Sequence, residues 1–238
     1  MKPLLLIAGI AAVSVAYAVA GPRPQLYDGT GIDTADTTEA YNATDSDAVK
    51  EESAIDFFQF ADEFETIDPS VRLDMLDYYA SGMIKQMPTR LNGMAAIDSI
   101  EGGHYIKVTT SAVSETEVRM YDTKSGDKVF AVVNRVKLPA TDCRLRVVQT
   151  SEKGLVTLPF TAPTVDDFLT VKDKKLRKDL LSRFDFPLVD YHFLPNGDIE
   201  ARLSTEGYLS REDSAAVAPY VGKTLTYKWD GKNLKLKK

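Results

Sequence analysis

The sequence predicts an α+β protein: an N-terminal helical pair, an antiparallel β-meander, and then a second unit of helices and hairpins. Three observations lead to this prediction. Apolar residues recur at helical spacing between residues 55 and 87, and the period changes to two from residue 97, where β-branched residues become frequent. A helical pattern returns at residue 164 and two more hairpin patterns follow it. Helices that precede strands in both parts are typical of an α+β fold with antiparallel sheets.

The first 20 residues have the layout of a secretory signal peptide. A lysine precedes an apolar run, residues 4–15, and small residues follow at Ala18 and Ala20. The run is short for a retained membrane anchor, so we expect cleavage after Ala18 or Ala20 and a periplasmic or cell-surface location without a stable membrane span. Because no cysteine follows the run, a lipid anchor would have no acceptor thiol.

The segment 21–54 is predicted to be a disordered acidic spacer between the signal and the folded body. It holds eight acidic residues against two basic ones, and it has few apolar side chains to offset the entropy lost on ordering. The first 54 residues carry −5 of the net charge of −6, so the body is nearly neutral. This body, 55–238, is long enough to bury a core as one domain or as two parts, 55–158 and 159–238.

Two helices joined by a turn are predicted at the start of the body. The second is expected to begin at Asp68-Pro69, because aspartate can accept hydrogen bonds from the free amides of a first turn and proline fits the first helical position. Pro88 lies just beyond its expected end. The apolar face of the first helix consists of Phe57, Phe60, Ala61 and Phe64.

Two aspartates of the second helix, Asp74 and Asp77, could form an acid–base pair or the solvent-facing side of the helix. On a helical wheel they share one narrow sector with Ser81 and Lys85, while apolar residues cover most of the remaining circumference. A catalytic pair needs a desolvated carboxylate, and the sequence around these two supplies none. The pattern favours a solvated stripe on a largely buried helix. The predicted apolar arc extends to Met83, Ile84 and Met87.

Arg72 breaks this pattern because it falls inside the apolar arc. Two interpretations are open: its guanidinium pairs with Asp68 or Glu65 and fixes the entry of the helix, or its stem lies along the core and its head reaches solvent. Tyr78 and Tyr79 lie in the same arc. We predict that Arg72, Tyr78 and Tyr79 are binding residues.

Four strand-like segments separated by turn residues are predicted to form the antiparallel meander. Two of them, EVRMYDT and CRLRVVQT, alternate polar and apolar residues, which indicates a sheet with one covered and one solvated face. Cys143, the only cysteine, lies in the last segment and is expected to be buried, since a nucleophile would need a nearby base that the sequence does not identify. The four segments are residues 104–110, 117–123, 128–136 and 143–150.

The second unit is predicted to contain a helix over residues 164–184, a hairpin that turns at Asn196-Gly197, a short helix capped by Ser210 and a closing hairpin. This order in tandem is similar to the plan of β-lactamase-inhibitor-like folds, an analogy of architecture that carries no function. The residues of the closing hairpin that are expected to face inward are Leu225, Tyr227, Trp229, Leu234 and Leu236.

Motifs that identify common catalytic sites do not occur in the sequence: it has no GxSxG, no HExxH, no Walker loop and no glycine-rich dinucleotide turn. The two histidines, His104 and His192, lie in separate strand patterns without the spacing or the cysteine companions of a zinc site. We therefore expect no cofactor and no metal.

Basic residues are concentrated at 172–183 and in the closing hairpin. Nucleic acid is not an expected ligand of an exported protein, whereas acidic glycans and lipid headgroups occur at envelope surfaces. The alternative is a solvated strand face that protects a sheet edge from aggregation. In the hairpin we predict Lys228 and Trp229 as binding residues.

Five stretches carry a resemblance to a known family: FFQFADEF (57–64), RLDMLDYYASGM (72–83), DCRLRVV (142–148), PNGDIEARL (195–203) and TYKWDGKNLKL (226–236). In this order they resemble domain of unknown function 3256, a family of exported proteins from Gram-negative gut and oral bacteria. The resemblance implies export to the cell envelope, and it implies no catalytic role.

The sequence therefore favours a non-enzymatic envelope protein that binds another protein or an envelope component such as a glycan. The alternative is a hydrolase whose carboxylate site lacks a standard motif. Its candidate acids are Asp74 and Asp77, or Asp166 and Asp167.

Overall fold

Two antiparallel sheets and a set of short helices form the body, which confirms the predicted α+β class. The structure is a computed structural model that describes residues 53–138, 140–151, 154–205 and 208–237. Those residues contain a seven-stranded sheet, a four-stranded sheet and five α-helices. None of these helices is long and apolar enough to cross a membrane. The predicted signal peptide and nearly all of the predicted spacer lie outside the described residues.

The large sheet is a meander. Its strands β1 to β7 are Met87–Pro88, Met94–Glu101, Tyr105–Ser111, Ser114–Asp122, Lys128–Val136, Asp142–Ser151 and Gly154–Leu158, hydrogen-bonded in chain order. The four predicted strands correspond to β3 to β6 and are confirmed, and the sheet extends beyond them at both edges. β2 does not show the period-two pattern because its buried residues are consecutive and a bulge shifts its register between Ile97 and Ser99.

The small sheet consists of two hairpins. Its strands β8 to β11 are Val189–Phe193, Ile199–Leu203, Leu225–Trp229 and Leu234–Leu236, in the spatial order β11-β10-β9-β8. The predicted turn at Asn196-Gly197 is present, and Gly197 has a φ of 85°, which residues with a side chain rarely adopt. Leu225 and Tyr227 are buried as predicted, but the inward orientation predicted for Leu236 is wrong. Leu236 is 43% exposed because it lies on a three-residue edge strand.

The helices α1 to α5 are Ala54–Phe60, Pro69–Ala80, Val165–Phe168, Lys174–Leu181 and Arg211–Val217. The predicted start of α2 is confirmed, with Pro69 at its first position, although the Asp68 carboxylate binds Arg90 instead of capping the helix. The predicted cap of α5 is confirmed, because Ser210 Oγ accepts a hydrogen bond from the amide of Asp213 at 3.0 Å.

Two helices differ from the prediction. α1 ends at Phe60 and a 3₁₀ turn, Asp62–Phe64, follows it, so Phe60 is half exposed and Phe58 is buried in its place. The single helix predicted over residues 164–184 is wrong, since a non-helical stretch separates α3 from α4.

α2 also ends earlier than the apolar spacing predicts. Gly82 has a φ of 76° and follows the last helical turn, a common way for a helix to end. Met83 and Ile84 are therefore exposed outside the helix, and Met87 belongs to β1. Two of the twelve residues of α2 are buried, so the helix lies on the surface of the core and is not largely buried as predicted.

Both faces of the large sheet are covered at its centre, so the predicted solvated face is wrong there. In β5, Phe130 and Val132 belong to the core beneath α1 and α2, whereas Ala131 and Val133 belong to the core beneath the small sheet. All four are fully buried. The alternation in the sequence distinguishes the two faces correctly, but it does not reveal that the small sheet packs on the second one.

Arg72 is 5% exposed and joins α1 to α2. Both interpretations of its role are wrong, because its guanidinium neither pairs with Asp68 or Glu65 nor reaches solvent. It donates to backbone carbonyls at the end of α1 and in the turn that follows, a role that suits a side chain with five donors. The acceptors are the carbonyl oxygens of Phe58 (3.2 Å), Gln59 (2.9 Å), Ala61 (3.1 Å) and Ile67 (2.9 Å).

We expect Arg72→Met to lower the free energy of unfolding by about 3 kcal/mol or more, because each buried carbonyl that loses its donor costs about 1–3 kcal/mol. Arg72→Lys keeps the charge but has fewer donors. Its free energy of unfolding should therefore lie between that of Arg72→Met and that of the wild type. Arg211→Met, at an exposed position of α5, is the control and should change the free energy by less than about 0.5 kcal/mol. Urea unfolding measures all three, and a wild-type midpoint for Arg72→Met would contradict the role assigned to Arg72.

Candidate functional site

A cleft of about 360 Å³ lies where the end of β4 meets the small sheet. The large sheet contributes His104 and residues 119–122, the β8–β9 turn contributes residues 196–198, and β10 contributes Lys228 and Trp229. This volume lies within the range that small-molecule sites occupy. Two of the five residues predicted to bind, Lys228 and Trp229, therefore lie together on its wall.

An aromatic pair forms part of the cleft and is held in place by hydrogen bonds to the backbone. Tyr121 stacks on Trp229 with ring centroids 5.4 Å apart and planes inclined by 27°. The hydroxyl of Tyr121 donates to the carbonyl of Gly197 at 2.7 Å, and Trp229 Nε1 donates to the carbonyl of Asp122 at 3.0 Å. Burial raises the pKa of Tyr121, so its hydroxyl remains a donor. The rings are fixed before any ligand arrives.

Polar groups surround this pair. Asp122 accepts a hydrogen bond from Lys128 at 2.7 Å, and this bond lowers the pKa of Asp122. Asp198 is buried, and its Oδ2 accepts from Asn196 Nδ2 at 3.0 Å. Arg119 also lines the cleft, and its guanidinium lies over the ring of Tyr105, 5.7 Å from the centroid. The cleft combines fixed aromatic surface with both donors and acceptors.

The other three predicted binding residues lie elsewhere. Tyr78 is partly exposed beside Lys85, whose Nζ is 4.1 Å from the ring centroid and donates to the hydroxyl at 2.8 Å. Tyr79 packs on the core, and its hydroxyl accepts from the amide of Ile100 at 3.0 Å. Arg72 uses its donors on backbone carbonyls, as described above. The structure therefore does not bring the five residues into one site, and a binding role for each stays a prediction.

Arg119, Tyr121 and Asn196 line the cleft but are absent from the predicted binding set. Arg119 and Tyr121 are two positions apart in β4 and so lie on one face of the sheet. The residues of that face are mostly polar in the sequence, which predicts a face exposed to solvent. Asn196 was recognisable only as a turn residue. Nothing local indicates that this turn reaches β4.

A buried ion network is the second candidate site. Arg135 is 4% exposed, and its guanidinium binds Glu115 and Glu117 on the neighbouring strand β4. It also reaches the small sheet, where its Nε donates to Asp190 Oδ1 at 2.9 Å and one amino group donates to the carbonyl of Tyr191. The network connects the two sheets across their interface.

The charges of this network are balanced. Lys107 Nζ lies 3.0 Å and Lys137 Nζ 2.6 Å from Glu115. Burial by itself would raise the pKa of Glu115, but hydrogen bonds from Lys137, Lys107 and Arg135 outweigh it and lower the pKa to about 2. Hydrogen bonds from His192 and Arg135 likewise outweigh burial and hold the pKa of Asp190 well below its usual range. Glu115 and Asp190 are therefore ionised and paired at neutral pH.

Cys143 is buried next to this network, which confirms its predicted burial. Its Sγ lies 3.2 Å from Asp190 Oδ1, and His192 Nε2 lies 2.7 Å from Asp190 Oδ2. The thiol and the imidazole thus both bind the carboxylate, and neither is placed to activate the other. Burial raises the pKa of Cys143 to about 12, so the sulfur stays a thiol. We interpret the network as structural.

The acids proposed for the alternative hydrolase do not line the cleft at Trp229. Asp74 and Asp77 are exposed, as predicted. Asp166 pairs with Arg177 at 2.5 Å. Asp167 belongs to the capping box of α3 with Thr164. Within the described residues no cluster of three or more His, Cys, Asp or Glu side chains could hold a metal ion.

Comparisons with known proteins identify one family. The family model described as protein of unknown function (DUF3256) matches residues 46–234. A solved structure with a similar fold is a domain of an uncharacterized protein from Porphyromonas gingivalis W83, with a TM-score of 0.64 and 15% sequence identity. The match covers 79% of this chain and 98% of that one, and at this identity it shows similarity of fold alone. No curated protein is significantly similar.

We expect Arg135→Met to lower the free energy of unfolding by about 3–5 kcal/mol, because it leaves Glu115 and Glu117 buried without their central partner. Arg90→Met is the matched control. It removes an exposed ion pair, in which the side chain of Arg90 is 54% exposed and that of Asp68 is 48% exposed. Its loss should lower the free energy of unfolding by less than about 1 kcal/mol. Urea unfolding at neutral pH compares the two variants. If Arg135→Met and Arg90→Met lose equal free energy of unfolding, the network does not stabilise the interface between the sheets.

Proposed function

The chain belongs to the DUF3256 family of proteins of unknown function, and we propose that it is an exported, non-enzymatic binding module whose cleft at Trp229 holds a saccharide. The observation that carries this proposal is the cleft itself, in which a fixed aromatic pair is surrounded by side chains with free hydrogen-bonding capacity. Saccharides have the complementary chemistry. One side of the sugar ring is apolar C–H surface, and hydroxyl groups project from its edge.

The cleft fits this class of ligand in size and in rigidity. Its volume of about 360 Å³ suits one or two sugar rings and is small for a peptide segment of several residues. Tyr121 and Trp229 are stacked on each other and tied to the backbone at Gly197 and Asp122, so no side-chain freedom has to be lost there on binding. Aromatic side chains with these properties give contact area at a low cost in entropy.

The acids of the cleft support binding and not hydrolysis. A glycosidase needs one carboxyl group that donates a proton and a second carboxylate across the bond to be cleaved. Asp122 has a lowered pKa because Lys128 donates to it, so it is a poor proton donor at neutral pH. Asp198 is engaged with Asn196. These two carboxylates therefore act as acceptors for hydroxyl groups.

Export is supported by the amino-terminal sequence. The apolar run at residues 4–15 and the small residues Ala18 and Ala20 have the layout of a cleaved signal peptide, and the acidic spacer separates that signal from the body. A saccharide-binding module fits this location, because envelope surfaces carry glycans.

The export proposal predicts a shortened amino terminus. We expect intact-mass measurement on protein from the periplasmic or surface fraction to give a chain that begins at Val19 or Gly21. Ala18→Leu combined with Ala20→Leu should slow this processing, because the signal peptidase needs small residues near the cut. Recovery of the wild-type protein in the cytoplasmic fraction with residues 1–20 intact would contradict export.

The binding proposal predicts a fluorescence response. Trp229 is the only tryptophan of the chain, so its emission reports on the cleft without labelling. We expect titration of the exported chain with glucose, galactose, N-acetylglucosamine and glucuronate to change this emission with at least one of them. Trp229→Ala should weaken calorimetric binding of that sugar at least about tenfold, since the aromatic contact is lost.

Phe186→Ala is the control for this experiment, because Phe186 is an exposed aromatic residue that packs on Tyr208 outside the cleft. Its affinity for the sugar should be unchanged. If none of the four sugars changes the emission or the melting temperature of the wild type, the proposal is overturned.

A further inference from the structure

The guanidinium of Arg119 lies beside the cleft and makes no hydrogen bond within the described residues. Its side chain is 14% exposed, and within the described residues no acceptor lies within hydrogen-bonding distance of it. The nearest carboxylate is that of Glu101, 61% exposed, at 3.8 Å. That distance allows a weak ion pair but no hydrogen bond.

Three other arginines use their donors within the protein. Arg72 donates to four carbonyls, Arg135 binds three carboxylates, and Arg177 donates to Asp166 and to two backbone carbonyls. By contrast, none of the five N–H donors of Arg119 makes a hydrogen bond within the described residues. Arg119 therefore has donors available for a molecule in the cleft that it lines.

We propose that the saccharide bound in the cleft is acidic, with its carboxylate held by the guanidinium of Arg119. This inference rests on the proposed function and names the class of sugar, a hexose ring that carries a carboxylate. A planar guanidinium matches a carboxylate with two parallel hydrogen bonds, which a hydroxyl group cannot accept. The guanidinium carbon of Arg119 lies 5.7 Å from the centroid of the Tyr105 ring, and this contact uses none of its N–H donors in a hydrogen bond.

The charges around Arg119 suit this ligand. Lys228 is exposed on the same cleft and forms no ion pair within the described part of the chain. His104 also lines the cleft. Of the acids, Asp122 is already neutralised by Lys128, and Asp198 accepts from Asn196, so it serves the hydroxyl groups of the sugar. The positive charges of Arg119 and Lys228 together outweigh the negative charge of Asp198, which pairs with no cation within the described residues.

The test compares ligands that differ in charge. The exported chain is titrated with glucuronate, its methyl ester and glucose, followed by Trp229 emission and by calorimetry. We expect glucuronate to bind at least about tenfold more tightly than the ester or glucose, because both lack the charge that the guanidinium pairs with. A polysaccharide that carries the same acid at its end is the second arm, and tighter binding of it than of free glucuronate identifies the source as a glycan chain.

Arg119→Gln should abolish the preference for glucuronate and leave the weaker binding of glucose in place. Arg90→Gln, an exposed arginine outside the cleft, is the control and should keep the preference. Equal binding of glucuronate and its ester by the wild type, or a preference that survives Arg119→Gln, would overturn this inference while sugar binding itself stands. The ligand comparison needs no variant, so it decides the question even if Arg119→Gln does not fold. Failure of every sugar to bind would overturn the proposed function together with this inference.

Discussion

The ion network around Arg135 is the constraint on which the arrangement of the two sheets depends. Apolar contacts between sheets are non-directional and tolerate sliding. Arg135 must reach Glu115 and Glu117 on one sheet and Asp190 and the Tyr191 carbonyl on the other at the same time. A shift in register would leave these charges buried without partners, which is far more costly than a shifted apolar contact. The network thereby determines where the β8–β9 turn and β10 meet β4, and so where the cleft lies.

One face of β4 connects this network to the cleft. Alternate residues of the strand lie on that face: Glu115 and Glu117 belong to the network, and Arg119 and Tyr121 to the cleft. Tyr105 connects the two, because its hydroxyl donates to Glu117 at 2.7 Å and its ring lies beneath the guanidinium of Arg119. The arginine that we assign to an acidic sugar therefore rests on a buried and rigid support, which is the preorganisation that a binding site requires.

Local signals predicted much of the fold and misjudged this face. The starts of α2 and α5 and the turn at Asn196-Gly197 follow from capping and turn chemistry, which act over a few residues. The alternation in β4 was expected to mean a solvated face, yet Glu117 is 5% exposed. The carboxylate of Glu117 binds Arg135 and Tyr105. The alternation of polar and apolar residues in the sequence does not reveal that these partners are present. Lys228 and Trp229 were predicted from a basic and aromatic hairpin, while Arg119 looked like an ordinary strand residue.

The sequence by itself determined the fold class, the family, the central strands of the large sheet and the hairpins of the small one, because each depends on neighbouring residues. Only the tertiary structure decided that both faces of the large sheet are covered, what Arg72 binds and which arginine in the cleft makes no hydrogen bond within the described residues. The physical reason is separation along the chain. Arg135 binds Asp190 across 55 positions, and Trp229 binds the carbonyl of Asp122 across 107. Contacts at that range are set by the packing of whole elements, which no local pattern records.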